Sequence, residues 1–335
     1  MLRWGIAAAG KISNDFVTAI VQCLPENEHK VVAIASRSQK TADEFAKKHG
    51  IPKAYEGYDK LAKDEKVDIV YIGVLNPQHY EIAKLMLEHG KHVLCEKPLT
   101  LNEKQTKKLI GISKEKNLFL MEAVWSRCFP AYKEMKKIIE SGEIGEVLQV
   151  NVDFGVPIIQ NERINKKELG GGVILDLGVY LLQFQQYVFR GSKPTKVVAS
   201  GVLNENGVDS SVAAVLIHEG GKTAVVSASG TVSLSCEARV SGTKGYIRIP
   251  LFWCPTSLDV NGELREFPLP KNSDHFEYKN SAGLAYEAEE ARKCIMKGKL
   301  ESPQITQSES IELAQLMDKL RAAVGVVYPA DSEAY

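Results

Sequence analysis

The sequence predicts an α/β protein in two parts: a parallel, helix-covered sheet over residues 1–123, and an α/β domain built on a largely antiparallel open sheet over residues 124–335. Three observations carry this. Short apolar runs alternate with helical periodicity through roughly the first 122 residues, the pattern of a parallel sheet buried on both faces. A small-residue turn follows the first of those runs. Beyond Pro130 the pattern changes to alternating strands with few crossover helices. At 335 residues the chain is long enough for two domains and too long for one comfortable core.

In the first part the strands are Leu2 to Ala7, Val31 to Ala35, Val67 to Ile72, Lys91 to Leu94 and Leu118 to Met121. Asn76 with Pro77 supplies an N-cap and a first-position proline, and Thr100 with Glu103 has the spacing of a capping box. In the second part a helix over Pro130 to Ser141 precedes a strand in which Leu148, Val150, Val152 and Phe154 share one face and Gln149, Asn151 and Asp153 the other. Strands follow at Lys196 to Val202, Ser211 to Ile217, Thr223 to Ser229, Glu237 to Ser241 and Tyr246 to Ile249, then a hairpin turned by Asn261-Gly262. Helices over Leu284 to Met296 and Ser308 to Ala323 close the chain.

Lys+Arg and Asp+Glu balance at 42 each, which argues against nucleic acid or an anionic membrane as partner. No apolar run approaches the eighteen or so residues of a membrane span, and Met1-Leu2-Arg3-Trp4 enters a strand without a signal-peptide layout, so the expectation is a cytoplasmic protein. Cys23, Cys95, Cys128, Cys236, Cys254 and Cys294 form no C-x-x-C pair and no His cluster accompanies them. No metal is expected, and Cys95 reads as a small buried residue at a strand end.

The turn Gly5-Ile6-Ala7-Ala8-Ala9-Gly10-Lys11-Ile12-Ser13 is a degenerate dinucleotide fingerprint with Ala8, Gly10 and Ser13 in the three glycine slots. The middle glycine survives, the one that lets backbone approach a pyrophosphate, and Lys11 and Ile12 follow it into the helix. At the end of the second strand, where a ribose-binding acid usually stands, the chain has Ser36-Arg37-Ser38 and no acid until Asp43. A carboxylate repels a 2′-phosphate, whereas Arg37 and two hydroxyls suit one, so NADP is expected over NAD. Ser38 also suits the N-cap of the next helix.

Lys97, in Cys95-Glu96-Lys97-Pro98, follows an apolar strand candidate where open α/β sheets bind ligands, outside the carboxyl ends of strands. A lysine there reads equally as a solvated loop residue until its neighbours are counted. In Gly170-Gly171-Gly172-Val173-Ile174-Leu175-Asp176-Leu177-Gly178-Val179-Tyr180, three glycines leave open N–H groups at a helix start, and Asp176 and Tyr180 share one face at four-residue spacing. Two ionisable groups on an apolar segment need either polar partners or a wet cleft.

Together, Ala8-x-Gly10-x-x-Ser13, Asn76-Pro77-x-His79, Glu96-Lys97-Pro98 and the Gly170 to Tyr180 segment resemble the Gfo/Idh/MocA oxidoreductases in order and spacing over nearly the whole chain. Trp4-Gly5-Ile6-Ala7, Met121 to Arg127 and Asp176 to Tyr180 are similar to a branch of dimeric NADP-dependent dehydrogenases acting on dihydrodiols or D-xylose. The resemblance implies a Rossmann dinucleotide-binding domain, a second domain whose open sheet pairs with another subunit in a homodimer, and NADP lying with its nicotinamide between Lys97 and the Asp176/Tyr180 helix. It also implies catalytic roles for Lys97 and Tyr180, supported by Asp176 and His79, and cofactor contacts from Asn76 and Glu96. Many relatives have His where this chain has Tyr180, which leaves the identity of the base open.

Oxidising a secondary alcohol needs hydride transfer and removal of a hydroxyl proton. Free amines and phenols both titrate near pH 10, so deprotonating either at neutrality costs about 4 kcal/mol unless the surroundings help. His79, near the start of the Pro77 helix, suits a substrate hydroxyl or the ribose, or else a helix surface. Trp125, Phe129 and Phe154 suit either an apolar substrate wall or the core. The substrate stays open between a trans-dihydrodiol and a pyranose oxidised at C1, with the reduction of an anhydro-sugar ketone as the reverse case. A non-catalytic nucleotide sensor is the alternative from another class, and a sensor has no use for Lys97, Asp176 and Tyr180 together.

Overall fold

Strands that are apolar on both faces must be covered on both, and six strands form such a sheet in a computed structural model that describes residues 1–270 and 275–333. They are β1 (Leu2–Ala7), β2 (His29–Ser36), β3 (Lys53–Glu56), β4 (Ile69–Ile72), β5 (His92–Glu96) and β6 (Leu120–Ala123). The helices between them are α1 (Lys11–Cys23), α2 (Gln39–His49), α3 (Tyr58–Ala62), α4 (His79–Glu88) and α5 (Glu103–Glu115). All neighbours are parallel, in the order β3-β2-β1-β4-β5-β6. The order reverses between β1 and β4, and ligands of doubly wound sheets bind outside the strand ends at that reversal.

The helix starts correct the sequence reading. Asn76–Gln78 is a 3₁₀ turn whose N-cap is Leu75, so Asn76 is not the cap and α4 begins only at His79. Helix α5 starts at Glu103, which puts Thr100 outside the cap position; its hydroxyl instead pairs with Thr106 Oγ1 at 2.7 Å. Strand β3 escapes a pattern search because Lys53-Ala54-Tyr55-Glu56 is a sheet edge with no apolar run.

The second sheet has eight strands in the order β14-β13-β12-β11-β7-β10-β9-β8. After α6 (Pro130–Ser141) come β7 (Val147–Gly155), α7 (Glu162–Asn165), α8 (Val179–Val188), β8 (Lys196–Leu203), β9 (Asp209–Ile217) and β10 (Thr223–Ser229). The remaining strands are β11 (Glu237–Gly242), β12 (Gly245–Pro250), β13 (Ser257–Val260) and β14 (Glu263–Glu266). Only β7 and β10 pair in parallel. One face, with Val150, Val152 and Phe154 of β7 and Ala224, Val226 and Ala228 of β10, is buried, and α8 packs against these two strands. Leu148 was expected on that face but is exposed. The β11 register slips between Ser241 and Gly242, opposite Gln149 and Val147, and this bulge turns Leu148 outward. On the outer face Val198, Val215 and Val225 lie side by side and exposed. The Asn261-Gly262 turn has φ of 55° and 95°, the left-handed pair that a two-residue hairpin requires.

Helices α9 (Leu284–Met296) and α10 (Gln307–Val324) complete the fold. The chain divides into two compact units, one of Met1–Thr100, Lys104–Trp125 and Leu269–Ser310, the other of Leu101–Glu103, Ser126–Pro268 and Ile311–Tyr335. Residues 269–310, which the sequence reading leaves in the second half, thus cluster with the first unit. Among the described residues no helix is long and apolar enough to cross a membrane, and the six cysteines form no disulfide.

A polar chain ties α9 to the parallel sheet. The Trp4 indole N–H donates to His29 Nδ1 at 3.2 Å, so His29 carries its proton on Nε2, which meets Glu289 Oε2 at 2.9 Å. Arg292 pairs with Glu289 at 2.8 Å and with Glu28 at 2.9 Å. Burial pushes the Glu289 carboxyl up, but hydrogen bonds from Arg292, His29 and Lys293 outweigh it and hold the group at about 2. A depressed carboxylate contributes stability above its unfolded pKa that is lost as pH falls towards the folded one. Glu289→Gln is therefore expected to lower the urea midpoint at pH 7, with the gap from the unmodified chain closing as pH drops from about 4.5 towards 2; a gap independent of pH would contradict the assignment.

Candidate active site

The first unit supplies a nucleotide cradle. Strand β1 ends at Ala7, and Ala8 turns the chain with φ of 86° while its N–H donates to Ala35 O at 2.9 Å. Gly10 is the N-cap of α1 with no side-chain cap bond and no acid in the first turn, and Gly10 and Lys11 are exposed. The first N–H groups of a helix have no partner inside it, and with the helix dipole they suit an anion. A Cβ on Gly10 would meet only Gly73 O, at 3.8 Å, so a side chain here would project into the cradle itself. Ser13 is fully buried, and a Cβ on Gly73 would come within 2.6 Å of its hydroxyl, the close helix-to-strand packing that the third fingerprint slot serves. The donor set fits a pyrophosphate.

At the end of β2, Ser36 is buried and its hydroxyl donates to Ser38 O at 2.7 Å. Ser38 is the N-cap of α2, as expected, its Oγ accepting from Thr41 N at 3.2 Å. Both hydroxyls are therefore engaged in the local turn. Arg37 is exposed, and α2 has no acid in its first turn.

Strand β5 runs two residues further than the sequence reading placed it, through Cys95 and Glu96, and Lys97 is the only residue from 93 to 102 that is not buried. Its loop is clamped by three side chains. Glu96 turns inward, accepting from the Tyr71 hydroxyl at 2.5 Å and from Lys97 N at 3.2 Å. Glu122 Oε1 accepts from Leu99 N at 2.9 Å. His79, fully buried, places Nδ1 2.8 Å from Pro98 O and Nε2 3.1 Å from Val74 O. Both ring nitrogens thus face carbonyls, so His79 braces the loop and is neither a helix-surface residue nor turned to a substrate. Burial pushes its imidazole below the ordinary pKa against the pull of the two carbonyls, and the charge of Lys97 adds to the lowering. Asn76 is half-buried on the 3₁₀ turn after β4, the strand beside β5. Cys95 is buried at the strand end, as its size suggested, and burial pushes its thiol well up.

The second unit carries the glycine-rich segment. Gly172 has φ of 115°, and a Cβ there would lie 2.3 Å from Asp209 Oδ1; one on Gly171 would lie 2.4 Å from Ile164 O. Only glycines permit both approaches. Ile174–Gly178 then forms a π-helical turn in place of the regular helix expected, and such widened turns are frequent at functional sites. Asp176 sits in that turn, buried, with Oδ1 2.8 Å from Nη1 of Arg163 and Oδ2 3.3 Å from Nη2. Tyr180, in the first turn of α8, meets Phe154 edge-on at 5.8 Å. Phe154 stacks on the half-exposed Trp253 at 4.2 Å with an interplanar angle of 21°. Phe129 has no exposed surface and belongs to the core, while Trp125, 7% exposed, lies in the first unit. Sequence reasoning missed Arg163 and Trp253. Each lies in a stretch without periodicity, and only tertiary contact gives it a partner.

Comparison with known proteins agrees with this architecture. Residues 2–124 match the model of the oxidoreductase family with an NAD-binding Rossmann fold, and residues 132–248 match the Gfo/Idh/MocA C-terminal domain. Trans-1,2-dihydrobenzene-1,2-diol dehydrogenase of Xenopus tropicalis is 44% identical over 328 residues, covering 98% of this chain and 99% of the relative. The Homo sapiens protein of the same name is 44% identical over 332 residues, with the same coverage. An NAD-binding oxidoreductase from Klebsiella pneumoniae shares the fold with a TM-score of 0.83 over 97% of each chain at 22% identity. A 3-ketoreductase from Actinomadura kijaniata, solved with NADP and TDP-benzene, shares it with a TM-score of 0.81 at 24% identity, covering 98% of this chain and 99% of the other. The chain belongs to the Gfo/Idh/MocA family of oxidoreductases, with an N-terminal NAD(P)-binding Rossmann domain.

Proposed function

We propose that the chain is an NADP-dependent dehydrogenase that oxidises a secondary alcohol on a six-membered ring, trans-1,2-dihydrobenzene-1,2-diol being the first substrate to test. The observation that carries this reading is the clamped Lys97, the one accessible residue of a buried segment that leaves the sheet next to the strand-order reversal. The name shared by relatives 44% identical over nearly the whole chain supports the diol, as does the apolar Phe154–Trp253 stack beside Tyr180, a surface suited to a ring.

In this reading the N–H groups of Gly10, Lys11 and Ile12 hold the pyrophosphate with Ala8 shaping the turn, Arg37 with the start of α2 at Ser38 holds the 2′-phosphate, and Asn76 lines the ribose side. When bound, the oxidised nicotinamide accepts the hydride from the alcohol carbon. The residues do the rest. Lys97 and Tyr180 serve the removal of the substrate hydroxyl's proton. Asp176, held by Arg163, orients that pair. His79 and Glu96 act through Lys97, by fixing its backbone. Trp125 is a further apolar contact for the substrate. The exposed Val198, Val215 and Val225 row supports pairing with a second copy as a homodimer, and six cysteines without a disulfide support a cytoplasmic setting.

Reduced-nicotinamide absorbance with the dihydrodiol and with D-xylose tests the reading: turnover of the diol is expected, turnover of xylose alone would move the substrate to sugars, and turnover of neither would refute it. Lys97→Met is expected to lower kcat by at least about 10²-fold with NADP binding largely intact, and near-normal turnover would remove Lys97 from the chemistry. Arg37→Ala is expected to weaken NADP far more than NAD. An equal loss for both, measured by titration, would overturn the 2′-phosphate assignment.

A further inference from the structure

The glycines at 170–172 offer no side chain to cap the helical segment that follows them. The cap comes instead from the first residue of β9, 35 positions along the chain. Asp209 is fully buried, and its Oδ2 accepts from Ile174 N at 2.6 Å. Its Oδ1 has no hydrogen-bond partner and lies against Gly172, at the spot where a Cβ would come within 2.3 Å. Tyr328 closes the turn from the other side, its hydroxyl donating to Gly171 O.

We propose that Asp209 is a positioning residue for the active-site turn: its carboxylate, docked on the opening N–H of Ile174–Gly178, sets the widened turn that holds Asp176 and presents Tyr180. The proposal rests on the reading that Asp176 and Tyr180 face the substrate. The Arg321 guanidinium, the cation facing Asp209, is committed to Asp331 at 2.8 Å and to Asp318 at 2.6 Å. Arg163, on the turn's other side, is committed to Asp176. Tyr328 is a further ionisable group beside Asp209, and burial keeps its phenol protonated.

This arrangement makes the cap sensitive to pH. Burial pushes the Asp209 carboxyl up to about 6 against the backbone N–H bond of Ile174. Protonation removes the negative charge that the Ile174 N–H faces, which weakens the cap. A carboxyl whose pKa is raised on folding stabilises the fold only at low pH, and that contribution is lost as pH rises through about 6. The ionised cap therefore serves geometry at the expense of stability. A residue that merely supported the fold would show the reverse.

The test is Asp209→Asn in the full chain. Its melting temperature at pH 8 is expected to equal or exceed that of the unmodified protein, while kcat falls about tenfold or more with KM little changed. The unmodified enzyme is expected to lose kcat with a midpoint near pH 6, and this acid limb is expected to vanish in the variant. Ring-13C tyrosine labelling, with the Tyr180 signal assigned through Tyr180→Phe, reads position without catalysis. The Tyr180 shift should step near pH 6 and lose that step in Asp209→Asn. No step, or a step that survives the substitution, overturns the proposal. Parallel loss of melting temperature and activity in the variant overturns it too. A step lost in the variant alongside a pH-independent kcat leaves the positioning intact and refutes the role of Tyr180 in the chemistry. Should Asp209→Asn fail to fold, the Tyr180 titration of the unmodified chain decides.

Discussion

A loop that leaves a buried strand carries backbone groups that water cannot reach, and the Lys97 loop depends on how those groups are satisfied. Glu96, Glu122 and His79 supply the partners from three different elements, and each bond falls on a main-chain atom within two residues of Lys97. Leaving such a group unpaired costs about 1–3 kcal/mol, so the loop has little freedom to rearrange. The lysine is thereby held at its stem, and it is the residue of the segment that is not buried.

The second unit solves a similar problem with the opposite material. Where the Lys97 loop is clamped by side chains, the Asp176 turn is made by removing them. The glycines at 171 and 172 admit a carbonyl and a carboxylate closer than any Cβ allows, and the turn widens into π geometry where the helix begins. Arg163 then neutralises Asp176 where the carboxylate emerges. In both units the ionisable groups proposed for the chemistry sit on turns whose shape is imposed by residues distant in sequence.

That division explains what could be read from the sequence. Helices Pro130–Ser141 and Leu284–Met296 and strand Thr223–Ser229 fall where periodicity and punctuation put them, because their own residues decide their ends. The Asn261-Gly262 hairpin is legible for the same reason. Strand β3 and the outward turn of Leu148 are not, since an edge position and a bulge in a partner strand leave no local trace. Among the candidate residues, Lys97, Asp176 and Tyr180 stand in recognisable motifs. The inward turn of His79 and Glu96, the core position of Phe129 and the pairing of Arg163 with Asp176 follow only from the fold. Arg37 stays exposed while Ser36 and Ser38 close their own turn, a distinction that residue type alone does not make.

The central claim is the proposed one, that the amine of Lys97 and the phenol of Tyr180 both serve the oxidation of a ring alcohol. The most direct measurement is a crystal structure of the chain with NADP and an unreactive cyclic diol. The account predicts Lys97 Nζ and Tyr180 Oη both within about 3.2 Å of the same ligand hydroxyl, with the 2′-phosphate against Arg37. A complex in which the two groups lie on opposite sides of the bound dinucleotide, or in which neither approaches the hydroxyl, would contradict it.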